Sequence, residues 1–296
     1  MWQMVQTVFG GPEVFEREEA PRPEPGPGEV LLRVVATSVN AADRKVRSGR
    51  NDKLGAPPLV LGLDVSGVVV ARGAGAARFA VGETVFGMVF GGANAEYVVA
   101  HQDRLAAVPA GLDPVTAAAL PVAGLTAWQA LAAVQPGTRV LVHAAAGGVG
   151  HLAVQIAVRR GARVVGTARP EHHGYLRDLG AEDVIDYRAV DFTTAVGEVD
   201  LVLETIGDDH TERSLRVLGP DGRVIALEGP VAHRDSRVER FFVEPSTAAL
   251  DDLAAAVGGG ELTVHLAAIL PITELAAAHR RGELGGVRGK IVLTAE

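Results

Sequence analysis

Apolar and polar positions follow two different rhythms along the chain. In the first part, apolar runs are short and turns rich in Gly and Pro separate them. Gly26-Pro27-Gly28 reads as a turn, and Glu29 to Ala36 follows as an apolar run of strand length. Leu59-Val60-Leu61, Gly67 to Val70, Val81 to Phe86 and Ala95 to Val99 repeat the pattern. Short strands so arranged predict a partly open β-barrel rather than a parallel sheet. After about residue 113 strands alternate with helices. Strands are predicted at Val140–His143, Arg163–Gly166, Asp183–Asp186, Asp200–Glu204, Arg223–Leu227 and Arg240–Val243. Helices are predicted at Gly148–Arg160, Tyr175–Leu179 and Thr211–Leu218. This spacing implies a doubly wound parallel sheet. Helices at Ala248–Val257 and Ile272–Arg281 and a closing strand at Lys290–Leu293 complete the pattern.

The 296 residues are 48% hydrophobic and 22% charged, enough apolar material for two cores. The net charge of −8, without a basic stripe, gives no electrostatic support for nucleic-acid or anionic-membrane partners. The chain has no cysteine, which excludes disulfides, thiolate nucleophiles and cysteine-ligated zinc. The uncharged stretch from Pro114 to Thr138 contains Pro121, Gly124 and Gln129 and closes on Pro136-Gly137. A pair of buried helices around a turn fits it better than a membrane span. Met1-Trp2-Gln3-Met4-Val5 lacks the basic segment and apolar core of a signal peptide, so a cytoplasmic location is expected.

The main chemical signal is Ala144-Ala145-Ala146-Gly147-Gly148-Val149-Gly150, between a predicted strand and a predicted helix. In that context a Gly-rich loop cradles a dinucleotide pyrophosphate on the N–H groups of the helix N-terminus. A Cβ at Gly147 or Gly150 would block close approach of the phosphates. The first glycine of the usual G-x-G-x-x-G pattern is absent, so a ligand-free strand–helix turn is the alternative. An NAD site places Asp or Glu at the end of the second strand. Here that strand ends in Gly166-Thr167-Ala168-Arg169, without an acid. Arg169 can pair with a 2′-phosphate, so NADPH is preferred over NADH; the alternative is an exposed surface arginine. No Gly-x-Ser-x-Gly elbow occurs, and the nine histidines show no H-E-x-x-H spacing. Asp208-Asp209 and Asp251-Asp252 read as helix-start charges.

Further segments point to a family. They are Phe9-Gly10-Gly11-Pro12-Glu13-Val14, Ser38-Val39-Asn40-Ala41-Ala42-Asp43, Arg47-Ser48-Gly49, Gly62-Leu63-Asp64-Val65-Ser66-Gly67, Ala95-Glu96-Tyr97-Val98-Val99, Gly124-Leu125-Thr126-Ala127, Val184-Ile185-Asp186-Tyr187 and Gly289-Lys290-Ile291-Val292-Leu293. In this order they resemble the medium-chain dehydrogenase/reductase superfamily, and within it the zinc-independent quinone oxidoreductases of the zeta-crystallin-like group. The resemblance implies an α/β fold: a GroES-like, partly open β-barrel catalytic domain (1–118 and 246–296) and a doubly wound Rossmann domain (119–245). It implies no metal, because zinc-dependent relatives use a Cys and a Gly-His-Glu segment where this chain has Leu63-Asp64.

The same resemblance implies roles for single residues. Asn40 borders the substrate pocket and would donate to a carbonyl, or else caps a local turn. Lys45, where many relatives have Tyr, is a candidate donor of a hydrogen bond or proton, or points to solvent. Tyr97 lines the cleft or belongs to the core. Thr126 contacts the nicotinamide, or bonds its own helix backbone. Ala146, Gly147, Gly148, Val149 and Gly150 hold the pyrophosphate. Thr167, Arg169 and Tyr187 lie at the adenosine end. Backbone groups at Leu227 and Val243 contact the nicotinamide amide. The expected function is hydride transfer from NADPH to a quinone or an α,β-unsaturated carbonyl. Alternatives are an enoyl reductase of a polyketide-type pathway and an NADPH-binding structural or sensing protein with little turnover. A homodimer is expected, paired through the apolar strand at 240–243.

Overall fold

The structure, a computed structural model, describes residues 1–51, 54–230 and 232–295. The chain forms two compact units, 1–125 with 245–296, and 126–244. The family resemblance implies junctions at 118/119 and 245/246.

The first stretch contributes β1 (Trp2–Gln6), β2 (Phe15–Glu19), β3 (Glu29–Ser38), α1 (Ala41–Arg47), β4 (Leu59–Val60), β5 (Asp64–Arg72), β6 (Thr84–Met88), β7 (Tyr97–His101), β8 (Leu105–Ala107), α2 (Pro114–Ala117) and α3 (Pro121–Ala130). The uncharged stretch is thus a pair of short helices, as its Pro and Gly content predicts. No helix among the described residues is long and apolar enough to cross a membrane. The strands at 81–86 and 95–99 start later than predicted, at Thr84 and Tyr97. Gly82 has φ +96° and its N–H bonds the Val69 carbonyl, so a turn occupies the predicted strand start.

Unit 126–244 contains β9 (Arg139–Val142), α4 (Gly150–Arg159), β10 (Arg163–Ala168), α5 (His173–Asp178), β11 (Asp183–Asp186), α6 (Phe192–Ala195), β12 (Val199–Glu204), α7 (His210–Ser214), β13 (Leu218–Ala226) and β14 (Val238–Arg240). Its six strands are all parallel, in the order β11-β10-β9-β12-β13-β14. Counted within the unit this is 3-2-1-4-5-6, the doubly wound dinucleotide-binding order. Val140, Leu141 and Val142 of the central β9 are fully buried, which is why that strand reads as a continuous apolar run. Two expectations are corrected here. The helix predicted to Leu218 ends at Ser214, passes through a 3-10 turn and enters β13 at Leu218, because Gly219-Pro220 cannot continue a helix. The strand predicted at 240–243 lies at Val238–Arg240. Arg240 pairs with Ala226, the last residue of β13, so 241–243 have no strand to pair with.

The chain closes with α8 (Thr247–Gly258), β15 (Leu266–Pro271), α9 (Leu275–Glu283) and β16 (Lys290–Thr294). Ser246 caps α8 by accepting from the Ala249 N–H at 3.3 Å. Asp251 and Asp252 are mid-helix rather than helix-start charges, and Asp251 pairs with Arg78 at 3.6 Å. In the unit formed by 1–125 and 245–296, β2-β1-β4 make a small sheet and β15-β16-β3-β5-β6-β8 a larger one.

β3 organises the larger sheet. Val30, Leu32 and Val34 point into one core cluster with Val65, Val69, Phe79, Val85 and Leu105. One edge of β3 pairs with β5. Along the other, β7 pairs with residues 29–33 and β16 with residues 36–38. Because β5 and β16 both run antiparallel to β3, the end of β3 meets the start of β5 and the start of β16. Ser38, Asp64 and Lys290 are thereby gathered at one end of the sheet.

Candidate active site

The Gly-rich loop joins β9 to α4. Ala144 takes a left-handed backbone (φ 47°), and its carbonyl accepts from the Gly147 N–H at 2.8 Å. No side chain caps the start of α4, so its first N–H groups are left for an anion. Thr167 is buried at the end of β10. Its hydroxyl accepts from the Ala144 N–H at 3.2 Å and sits 3.2 Å from His143 Nδ1, while its carbonyl accepts from the Ala145 N–H at 3.0 Å. Thr167 therefore ties the loop to the sheet.

The reason for the glycines is sharper than the sequence suggests. A Cβ on Gly150 would overlap the Ala144 carbonyl oxygen and stand 2.7 Å from Ala145 Cα. A Cβ on Gly147 would stand 3.2 Å from the same oxygen. Gly150 is thus required by the chain's own close packing, whereas a Cβ on Gly147 would crowd a single atom, by a few tenths of an ångström. Ala146 is buried, and Gly148 and Val149 are half-buried along the rim of the loop.

Arg169 follows β10 directly, and its Nε donates to the Tyr187 hydroxyl at 3.3 Å. That hydrogen bond raises the Arg169 pKa further, so the guanidinium is always charged. The two residues expected at the adenosine 2′ position are therefore adjacent, one cationic and one hydroxyl-bearing. This set fits a phosphomonoester and lacks the carboxylate that a bare ribose would need. Thr126 is buried in α3. The Leu227 N–H is taken by the Glu204 carbonyl at 2.8 Å, and Val243 is half-buried beyond β14.

In the unit formed by 1–125 and 245–296, Asp64 is fully buried and accepts from four donors. These are the Ser38 hydroxyl, the Val122 N–H at 2.7 Å, Asn40 Nδ2 at 2.8 Å and Lys290 Nζ at 3.3 Å. Lys290 Nζ also donates to Asn40 Oδ1 at 2.5 Å and to the Val39 carbonyl at 3.3 Å. Asn40 is the N-cap residue of α1, and its N–H is held by Asp43 Oδ2 at 2.9 Å. Asp43 Oδ1 accepts from the Gly62 N–H at 3.3 Å. Burial, with the Asp64 charge nearby, pushes the Asp43 carboxyl up to about 7. The Asn40 amide is therefore held between an anion and a cation.

Residues 26–110 match the alcohol dehydrogenase GroES-like domain family, and residues 179–293 match the zinc-binding dehydrogenase family. The 2-haloacrylate reductase of a Burkholderia species is 35% identical over 321 residues, covering 96% of each chain. The chain belongs to the medium-chain dehydrogenase/reductase superfamily. A solved structure of Escherichia coli quinone oxidoreductase complexed with NADPH superposes with a TM-score of 0.91 at 26% identity, over 99% of this chain and 100% of that one. A mycocerosic acid synthase-like polyketide synthase of Mycobacterium tuberculosis is 38% identical over 228 residues, 74% of this chain. This medium-chain reductase spans only 11% of that relative's length.

The donor set does not suit the zinc that one family description mentions. The chain has no cysteine, and among the described residues no three His, Asp or Glu side chains converge on one point. Asp64 is already paired with Lys290 at 3.3 Å. Of the other expected site residues, Lys45 lies half-buried on α1, its carbonyl accepting from the Ser48 hydroxyl at 3.2 Å. Tyr97 stands apart from Asn40. It pairs with Arg33, five residues back from Ser38 and roughly 16 Å along β3, and its ring lies 4.2 Å under the Arg22 guanidinium.

The sequence reading missed Ser38, Asp43, Asp64 and Lys290 as a cluster. One signal was available: Asp64 and Lys290 are charges set inside apolar strands, and a charge buried there needs a partner.

Proposed function

We propose that this medium-chain reductase transfers hydride from NADPH to a quinone or an α,β-unsaturated carbonyl compound without a metal. The chain is an oxidoreductase using NADPH; the acceptor class is our reading. The observation that carries it is the Asn40 amide, clamped by a buried ion pair where a zinc-dependent relative would build its metal site. When bound, NADPH supplies the hydride. The loop N–H groups and the start of α4 hold the pyrophosphate, and Arg169 with Tyr187 holds the 2′-phosphate. Asn40 donates to the acceptor oxygen on which charge develops, which a conjugated acceptor delocalises without a Lewis acid. Lys45 is the proposed donor for the later proton transfer.

Steady-state NADPH oxidation against a panel of quinones and enones tests this. Turnover of at least one class is expected. Arg169→Ala is expected to weaken NADPH binding by about 10-fold or more and leave NADH binding nearly unchanged. Tight NADPH binding without turnover on any acceptor would sink the reductase reading and favour a sensing protein. A second reading, enoyl reduction in a polyketide-type pathway, draws support from the polyketide synthase relative. An enoyl thioester preferred over free quinones and enones would select it.

A cytoplasmic homodimer is also proposed. β14 is an edge strand of the parallel sheet, and exposed Phe242 lies beside it under the Arg240 guanidinium at 4.5 Å. Sedimentation is expected to show dimers that Phe242→Asp converts to monomers; a monomeric wild type overturns the pairing.

A further inference from the structure

The chain has three lysines, at 45, 53 and 290, among 28 basic residues. Arginine serves nearly everywhere else, yet position 290, only 3% exposed, keeps a lysine. The geometry supplies a reason. An ammonium carries three N–H bonds, and Lys290 Nζ has three acceptors: Asn40 Oδ1 at 2.5 Å, the Val39 carbonyl at 3.3 Å and Asp64 Oδ2 at 3.3 Å. A planar guanidinium could not reach three such acceptors from one atom.

We propose that Lys290 and Asp64 are positioning residues that fix which way the Asn40 amide faces. This rests on Asn40 being the donor to the acceptor carbonyl. The two ends of an amide have nearly the same shape, and a half-turn about its last bond exchanges donor for acceptor. Here the half-turn is blocked electrostatically. It would set the amide oxygen against the Asp64 carboxylate and the amide N–H groups against the Lys290 ammonium. The observed orientation makes both contacts attractive. One Nδ2 hydrogen goes to Asp64 at 2.8 Å. The other is the hydrogen that this reading offers to the acceptor carbonyl. Ser38 and the Val122 N–H hold Asp64 in turn, so the clamp is anchored in β3 and at the start of α3.

Removing one charge alone would leave the other buried and unpaired and endanger the fold. The informative variant is therefore the double Asp64→Asn, Lys290→Met, which removes both charges at nearly constant volume. The chain has three asparagines, at 40, 51 and 94, so asparagine-selective nitrogen-15 labelling gives three side-chain amide signals, with Asn40 assigned by Asn40→Ala. In the folded wild type the Asn40 side-chain proton bonded to Asp64 is expected to exchange slowly with solvent. Fast exchange overturns the clamp without any variant. In the double variant, which adds a fourth amide signal at position 64 and has Asn40 again assigned by Asn40→Ala, exchange of that Asn40 proton is expected to rise about 10-fold or more, while Asn94 stays unchanged. In parallel, kcat for a weakly activated cyclic enone is expected to fall about 10-fold, kcat for an electron-poor benzoquinone to fall much less, and the NADPH dissociation constant to hold. A merely structural pair would lower both kcat values alike; that result, or an unchanged enone kcat despite a released Asn40 amide, overturns the proposal. A wild type that turns over neither acceptor sinks the reductase reading instead, and the exchange experiment still decides the clamp.

Discussion

Acidification from pH 7 to 4 is expected to destabilise unit 126–244 by about 3 kcal/mol and leave the unit formed by 1–125 and 245–296 nearly unchanged. The difference comes from three buried groups. His143 lies in the first unit named, with its ring nitrogens 3.2 Å from the Thr167 and Ser214 hydroxyls and its ring in a T-shaped contact with Phe192. Burial pulls its pKa down to about 3. The unfolded chain binds a proton near pH 6.5 that the folded chain refuses until about pH 3, so the stability His143 contributes is present above 6.5 and drains away through that window. His279 behaves alike in the other unit. It is pulled down to about 3 by burial and by Arg47, whose Nη1 donates to its Nδ1 at 3.0 Å.

Asp43 has the opposite sign. Its folded pKa of about 7 exceeds its ordinary value of 3.8. Between those values the folded state holds a proton that the unfolded state has lost, so falling pH stabilises. Between pH 7 and 4 that gain, about 3 kcal/mol, offsets the similar loss from His279, and nothing comparable offsets His143. The two tryptophans read the units separately, Trp2 in one and Trp128 in the other. Urea titrations followed by the fluorescence of Trp2→Phe and Trp128→Phe variants at several pH values would show it. His143→Gln should flatten the Trp128 response, and Asp43→Asn should make the Trp2 response acid-sensitive. A Trp128 midpoint that ignores pH would refute the assignment.

What could be read in advance follows a physical line. β9 and β12 are buried on both faces, so their apolar runs announce them, and the Gly-rich loop needs only its neighbours in sequence to be recognised. β2, Phe-Glu-Arg-Glu-Glu, escaped notice because four of its five side chains are exposed and charged; a paired edge strand of that kind carries no hydrophobic pattern. β8 and β15 were missed for want of length or alternation. In the site, Arg169 could be singled out because it directly follows a strand of a regular parallel sheet, whereas Tyr187 was expected only from the family resemblance. The Asn40 clamp was not, since its members lie 24 to 250 residues apart and meet only through the pairing of β3 with β5 and β16.

Gly150→Ala is expected to lower stability by about 3 kcal/mol, whereas Gly147→Ala should cost little stability and act on NADPH affinity. Both positions look alike in the sequence, each a glycine between strand and helix, but their surroundings differ in kind. The atoms a Cβ at 150 would meet are backbone: the Ala144 carbonyl oxygen and Ala145 Cα and oxygen. Backbone there cannot give way, because the Ala144 and Ala145 N–H groups are both tied to Thr167 and the Gly147 N–H closes back on Ala144. Relief would require α4 to move away from β9, breaking the packing of two elements at once. At 147 the single close atom is 3.2 Å away, which a shift of a few tenths of an ångström relieves. A methyl group there would instead intrude on the surface left to the pyrophosphate. Thermal unfolding and NADPH titration on the two variants separate the roles: a large drop in Tm for Gly150→Ala, and for Gly147→Ala a near-native Tm with NADPH bound about 10-fold more weakly. Equal losses of stability in both would mean that the loop packs as one unit and that neither glycine is reserved for the cofactor.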